Sequence, residues 1–379
     1  MTTEWIYSDE TNTLAHVSQI EMDNKKAVFP QHALTHSDYN IFSELDQIEK
    51  ISKDSLMVIG EPLSPNTFTE VGHISQTTES LFLRLKRKMI GGRINWVYPR
   101  IPNTIKQGNT ITTVDRIDDL QASALVGIQL DLNANGIIVP VPNNITEKKV
   151  FDRIFERTIN ERKTFNSDKE IIGLIPKTDA IDLIPLIVKD YIKEGVRHFA
   201  IDFSGSTIPR SHLRTAVRSI RDSLKIKRGN VSEEKQYTLH AFNASFAVKS
   251  QSEVSPITDI LTHVYGVDST SGVIWGGGKL EKEKLRFYNT TDYGAYRIKD
   301  IEKHNISIPR SLLQGNPVAV YKKLRANRIT AYQNECGKLS SKIAEQEPTR
   351  SYLAYLNTKD KATDIVKKAI SDVKEIKAN

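Results

Sequence analysis

The chain has 379 residues, 39% of them hydrophobic and 26% charged, with a formal net charge of +7; that length accommodates one large domain with an appendage, or two domains. One cysteine, Cys336, excludes an intrachain disulfide and a multi-cysteine zinc site. No apolar run approaches the roughly 20 residues of a membrane span, and Met1–Trp5 lacks a signal-peptide pattern, so a cytoplasmic protein without membrane contact is expected.

The first fifty residues carry nine acids against three bases, a balance of −6 that leaves +13 on the remainder. They are polar and weakly periodic, and are expected to form an N-terminal acidic arm (residues 1–50). A strand is expected at Ser55–Gly60, a helix through Leu81–Met89, and another strand at Arg93–Tyr98 before Pro99. Leu125–Leu130 is an apolar run ahead of Asp131 and the turn Asn133–Gly136, followed by Ile137–Val141. Helical spacing at Val150, Ile154, Phe155 and Ile159 leads to a buried run at Ile171–Ile175. A helix over Ile181–Tyr191, a strand at Phe199–Ile201 and a helix over Ser211–Leu224 come next. Tyr237–Phe242, Ile257–Leu261 and Val264–Val267 complete the series.

Short apolar runs alternating with helices indicate parallel βαβ units. The expected fold is an α/β (β/α)8 TIM-like barrel over residues 51–318, with the polar arm before it and a helical C-terminal extension over 319–379. An open doubly wound sheet is the alternative, without a Gly-rich dinucleotide fingerprint to support it.

Catalytic groups of such barrels lie at the C-terminal strand ends. Taken as the exit of the run Val264–Val267, Asp268 reads as a nucleophile or acid at the mouth, or as a cap for the next turn with Ser269 and Thr270. Asp202, in Ile201-Asp202-Phe203-Ser204-Gly205, reads as a substrate-holding acceptor or as a helix cap. Asn143, Asn243 and His240 sit at comparable positions, with a packed role the default for His240. Asp131 precedes an Asn-rich turn, and a turn role suits it best. Trp275–Lys279 offers backbone N–H groups and a lysine to a phosphate, without P-loop spacing. The nine histidines are scattered, so no metal site and no cofactor are expected.

Arg210, Arg214, Arg218, Arg221, Lys225 and Arg228 fall on one helical stripe beside the apolar stripe Leu213, Val217, Ile220 and Leu224. Such a stripe suits a phosphate backbone. Further basic clusters surround Arg84–Arg93 and Lys322–Arg328, so a polyanionic partner is expected.

The stretch Gly136–Gly272 resembles the tRNA-guanine transglycosylase superfamily. The resemblance rests on Ile137–Pro142 with Glu156-Arg157-Thr158, on Ile171–Ile175, on Phe199–Gly205, on Leu239–Ala244, on Thr258–Leu261 and on Gly266-Val267-Asp268-Ser269. Asparagines 143 and 144 stand near the place of a family aspartate, Pro176-Lys177 replaces its Gln-Gly, and the absence of a zinc site is closest to the DNA-modifying branch. The resemblance implies a TIM barrel in which Asp268 attacks a guanosine C1′ and an incoming 7-deazaguanine reverses the step. Asp131 would hold the place of the second acid. Asp202 with Ser204, Gly205, Asn143, His240 and Asn243 would contact the base, and the basic stripe with Lys279 would hold phosphates. The implied partners are nucleic acid (DNA ahead of tRNA), free guanine or 7-deazaguanine, and a partner subunit. Two other readings stand beside base exchange: a non-catalytic nucleic-acid-binding subunit, and a barrel enzyme acting on a small phosphorylated substrate.

Overall fold

Eight short strands form the centre of the protein: β1 (Gln31–Thr35), β2 (Met57–Pro62), β3 (Asn95–Arg100), β4 (Ile137–Ile138), β5 (Ile171–Ile175), β6 (His198–Asp202), β7 (Thr238–Phe242) and β8 (Ser269–Ser271). The computed structural model describes residues 2–8, 13–107, 109–206, 210–228, 231–234, 236–247, 252–273, 281–345 and 352–378. Neighbouring strands pair in parallel from β4 through β5, β6, β7 and β8 to β1, β2 and β3. At the remaining seam, Asn135 N donates to Asn95 O at 3.0 Å and Asn95 N to Asn135 Oδ1 at 2.8 Å. The result is a nearly closed eight-stranded parallel barrel whose strands run in sequence order, with helices around it.

Strand alternation divides the core. Val58, Trp96, Tyr98, Ile172, Leu174 and Phe242 fill the barrel. Their neighbours Ile59, Val97, Ile175, Ile201 and Leu239 point outward to the helices. The helix Lys148–Thr164 buries Phe151, Ile154, Phe155 and Thr158, the spacing of one helical face. Gly173 in β5 is required by close packing: a Cβ there would stand 2.8 Å from the Tyr191 ring. Leu125–Leu130 lies in the helix Asp119–Asp131, because this apolar run packs on the barrel exterior rather than crossing it.

The first fifty residues are not peripheral in space. Thr2–Ser8, His16–Met22 and Lys25–Phe29 form an antiparallel sheet. Ile20, Met22, Ala27 and Phe29 join the barrel interior, so this sheet plugs the end where the strands begin. Trp5 Nε1 donates to Tyr237 O at 3.0 Å, just before β7. β1 follows directly, and the helix His36–Glu44 is capped by a reciprocal Thr35–Asp38 box. The C-terminal region is helical, as expected, with Pro317–Ala344 and Thr363–Ala378 as its main segments. No helix among the described residues is long and apolar enough to cross a membrane.

Polar groups also enter the interior. His240 sits between Ser269 Oγ at 2.7 Å and Thr238 Oγ1 at 3.0 Å, with the Trp96 ring 4.5 Å away. Burial pushes His198 down to about 3, and His240 and His263 down to about 4. Their ordinary value is 6.5, so the unfolded chain takes up these protons first. Their contribution to stability is present above pH 6.5 and is lost as pH falls toward 4. Burial pushes the Asp259 carboxyl up to about 7, which acts oppositely: its contribution is present below about pH 4 and lost as pH rises through 7. Three groups outweigh one. Denaturant titrations are therefore expected to show stability falling as pH drops from 6.5 to 4.5, by about 3 kcal/mol per pH unit at the steepest. A flat profile over that interval would contradict the buried neutral histidines.

Candidate functional site

At the C-terminal mouth, the side chains on the inward face of β3 converge with the ends of β4, β6 and β7. Asp202 closes β6 and is fully buried. Its Oδ2 accepts from Arg100 Nε at 2.8 Å and Tyr98 OH at 2.9 Å, with Asn143 Nδ2 at 3.4 Å. Its Oδ1 accepts from Ser204 N at 2.7 Å and Asn243 Nδ2 at 3.1 Å. Five donors occupy one carboxylate, whose capacity is about four lone-pair sites. Burial raises the Tyr98 phenol well above its ordinary value, and the nearby Asp202 charge adds to that, so Tyr98 remains a donor.

Two residues beside this carboxylate adopt left-handed backbone conformations without being glycine: Ser204 at φ +53° and Asn243 at φ +54°. Asn tolerates this region through local hydrogen bonding; Ser204 is held there by its N–H bond to Asp202. Gly205, at φ +73°, continues the turn, and its N donates to Asn243 O at 2.7 Å. Asn143 Nδ2 reaches Ser204 Oγ at 3.0 Å, and Asn103 Nδ2 reaches it at 3.3 Å. Asn103 Oδ1 is buried with no hydrogen-bond partner among the described residues. Lys177 Nζ donates to Ser206 Oγ at 2.7 Å, and burial lowers its ammonium below the ordinary lysine value, against the pull of Asp202. The mouth thus presents amides, hydroxyls and a half-buried amine around a carboxylate that is itself saturated.

Of the expected base-contacting residues, Asp202, Ser204, Gly205, Asn143 and Asn243 come together here. His240 does not: it lies one inward layer below, fully buried among rings. Arg100, Tyr98, Asn103 and Lys177 were not anticipated. The first two share the inward parity of Trp96 on β3, a period-2 signal that Pro99 obscured.

Asp268 lies at the opposite end. The strand it was expected to close is the 3-10 turn Ile260–Tyr265, and the true strand, Ser269–Ser271, begins after it. Asp268 is therefore at the start of β8, under the N-terminal sheet. Oδ1 accepts from Ser18 Oγ and pairs with His16 Nε2 at 3.0 Å; Oδ2 accepts from Leu239 N at 2.8 Å. Burial pushes this carboxyl up, but His16, His240 and the Ser18 bond outweigh it and hold it below the usual range. Asp131 ends its helix, exposed, on the side where β4 begins, and is also remote from the mouth.

The basic stripe is partly an internal contact. Arg214 Nη1 lies 2.9 Å from Glu375 and 3.5 Å from Asp372 of the last helix, and Arg218 lies 3.6 Å from Asp222. Arg221 lies on the same helix. Lys279 and the side chains of Arg210, Lys225 and Arg228 lie outside the described residues. Elsewhere Arg84 and Lys88 engage Glu61, Lys322 engages Glu44, and Arg325 engages Asp38. Several bases of these clusters are thus paired with acids of the same fold, although the net charge of +7 remains. Among the described residues, no group of three or more His, Cys, Asp or Glu side chains is arranged to hold a metal ion.

Comparison with known protein families and with characterised proteins finds no match.

Removing one member of a buried charged network leaves the others uncompensated, at a cost of about 3–5 kcal/mol. Asp268→Asn is expected to lower unfolding stability by that order and to reduce amide-exchange protection at Ser18 and Leu239. An unchanged denaturation midpoint would contradict its role as the anchor of the N-terminal sheet.

Proposed function

We propose that the C-terminal mouth binds a guanine-type base of a nucleic acid or nucleotide, and that this chain acts as a binding subunit of a base-exchange system. The observation that carries this reading is the Asp202 cluster. A fixed set of amides, hydroxyls and a guanidinium surrounds the barrel opening, where ligands of this fold are held. Hydrogen-bonding a polar planar ligand suits such a set, because donors locked by a common carboxylate lose little freedom on binding. Asp202 acts as a positioning residue: with all its lone pairs engaged, it orients Arg100, Asn143 and Asn243 toward the ligand. The resemblance to the transglycosylase superfamily supplies the base class.

The placement of Asp268 favours binding over glycosyl transfer. A nucleophile must approach the sugar carbon to about 3–3.5 Å, and Asp268 is enclosed at the other end of the barrel by His16 and Ser18. A transferase partner subunit would then supply the covalent step, with DNA the first polymer to test and tRNA the second.

The test combines exchange and binding. Labelled guanine or 7-deazaguanine is incubated with DNA and tRNA pools and the purified protein, beside Asp268→Asn, Asp202→Asn and Asn243→Ala. Wild type is expected to bind guanosine without incorporating label, and folded Asp268→Asn to bind as wild type does. Asp202→Asn and Asn243→Ala are expected to bind at least tenfold more weakly, since truncating a buried charge-assisted partner costs about 2–5 kcal/mol. Circular dichroism establishes that each variant is folded. Incorporation by wild type that disappears in Asp268→Asn would overturn this reading and restore the covalent one.

A further inference from the structure

Beside the mouth, at the ends of β7 and β8, a cavity of about 310 Å³ opens between the barrel and the helix Pro317–Ala344. Phe246, Val273 and Tyr321 wall it, and Lys284, Arg286 and Arg328 reach it. The volume is at the low end for small-molecule sites, about 300–1,000 Å³. Late-strand ends of barrels are also where phosphates are often held.

Arg328 sets the character of this cavity. Its guanidinium lies 4.7 Å from the centre of the Phe246 ring. Among the described residues it has no ion pair and no hydrogen bond, unlike Arg325 one helical turn earlier, which lies 2.6 Å from Asp38. The backbone of Gly272 abuts it: a Cβ there would lie 3.1 Å from Arg328 Nη2. The His32 imidazole lies against the same glycine, is almost fully buried, and has neither ring nitrogen within hydrogen-bond distance of a partner, Asp38 Oδ2 being 3.9 Å away. Arg286 is aligned by donation to Ala295 O at 2.7 Å and Ser252 O at 2.9 Å. Two carboxyl groups are close by: Glu281 is 2.7 Å from Lys284, and buried Asp259 receives Ile260 N at 2.9 Å. Neither forms an ion pair with Arg328. Arg328 is only partly buried, and its charge holds the neighbouring Asp259 carboxyl down against burial, yet it forms no ion pair among the described residues. A guanidinium stacked on an aromatic ring with its donors free is a site for an anion that accepts two parallel hydrogen bonds.

The loops that carry the cavity and the mouth touch each other. Ser245 N donates to Ser206 O at 2.9 Å, and a Cβ on Gly205 would meet Val273 at 3.5 Å. These contacts make the two sites neighbours at one end of the barrel, which is the ground for assigning them to two parts of one ligand.

We infer that the cavity walled by Phe246, Val273 and Tyr321 is a phosphate-monoester subsite with Arg328 as its principal ligand, and that it takes the phosphate of a guanine nucleotide. The nucleotide identity rests on the proposed base site; the anion subsite does not.

The experiment measures calorimetric binding of inorganic phosphate, guanosine, guanosine monophosphate and a 5′-phosphorylated oligonucleotide. Wild type, Arg328→Gln, Arg328→Lys and Asp202→Asn are compared, each verified as folded by circular dichroism. Wild type is expected to bind the monophosphate at least tenfold more tightly than guanosine. Arg328→Gln is expected to lose inorganic phosphate and that advantage while keeping guanosine; Arg328→Lys should recover part of both. Asp202→Asn is expected to lose guanosine and keep phosphate, so failure of the base site and failure of the anion subsite have different signatures. Comparing the free monophosphate with the phosphorylated oligonucleotide distinguishes a free nucleotide from a strand end, and tighter binding of either supports the subsite. Equal affinity of wild type for guanosine and its monophosphate, or phosphate binding unchanged in Arg328→Gln, would overturn it.

Discussion

A carboxylate can be buried inside a barrel only if its lone pairs are occupied, because an unpaired charge there is desolvated at a cost of several kcal/mol. Much of this protein follows from meeting that requirement twice. At the strand starts, Asp268 draws His16, Ser18 and the backbone N–H of Leu239 onto one group, which ties the N-terminal sheet to β7 and β8. At the strand ends, Asp202 gathers donors from β3 and from the loops after β4, β6 and β7. One network closes the barrel and the other organises its opening.

The two networks differ in what they leave over. Around Asp268 the surrounding sheet fills the space, and Phe29 and Ile20 continue the apolar interior. Around Asp202, Asn143 and Ser204 are bonded to the carboxylate itself, while Asn103 is held through Ser204 and Lys177 through Ser206. Rigid polar groups at an opening favour recognition, since their ordering cost is met during folding rather than on binding. The cavity lined by Arg328 lies beside that rim, and Arg325, one turn earlier on the same helix, is paired with Asp38.

The apolar strands and the amphipathic helices were legible because burial imposes a period on them. β2, β3 and β5 to β7 fall where Val, Ile, Leu and aromatic residues cluster, and the helix Arg210–Leu224 where Leu213, Val217, Ile220 and Leu224 repeat. The two strands that escaped, β1 and β8, are neighbours and are polar: Gln31-His32-Ala33-Leu34-Thr35 and Ser269-Thr270-Ser271. Their side chains are buried by partnering other polar groups, as Ser269 does His240 and Thr270 does Tyr332. Hydrophobicity carries no record of such strands. Missing β8 by a few residues moved Asp268 from one end of the barrel to the other, and missing β1 made the first fifty residues look peripheral.

By itself the sequence determined the barrel class, the helical C-terminus and the gathering of Asp202, Ser204, Asn143 and Asn243 at strand ends, since each depends on local periodicity and on position after an apolar run. Tertiary packing settled which carboxylate faces the opening and which arginines are paired with acids of the same fold. Those outcomes depend on pairs far apart in the chain, Asp268 with His16 and Arg325 with Asp38, and on the geometry that makes them neighbours.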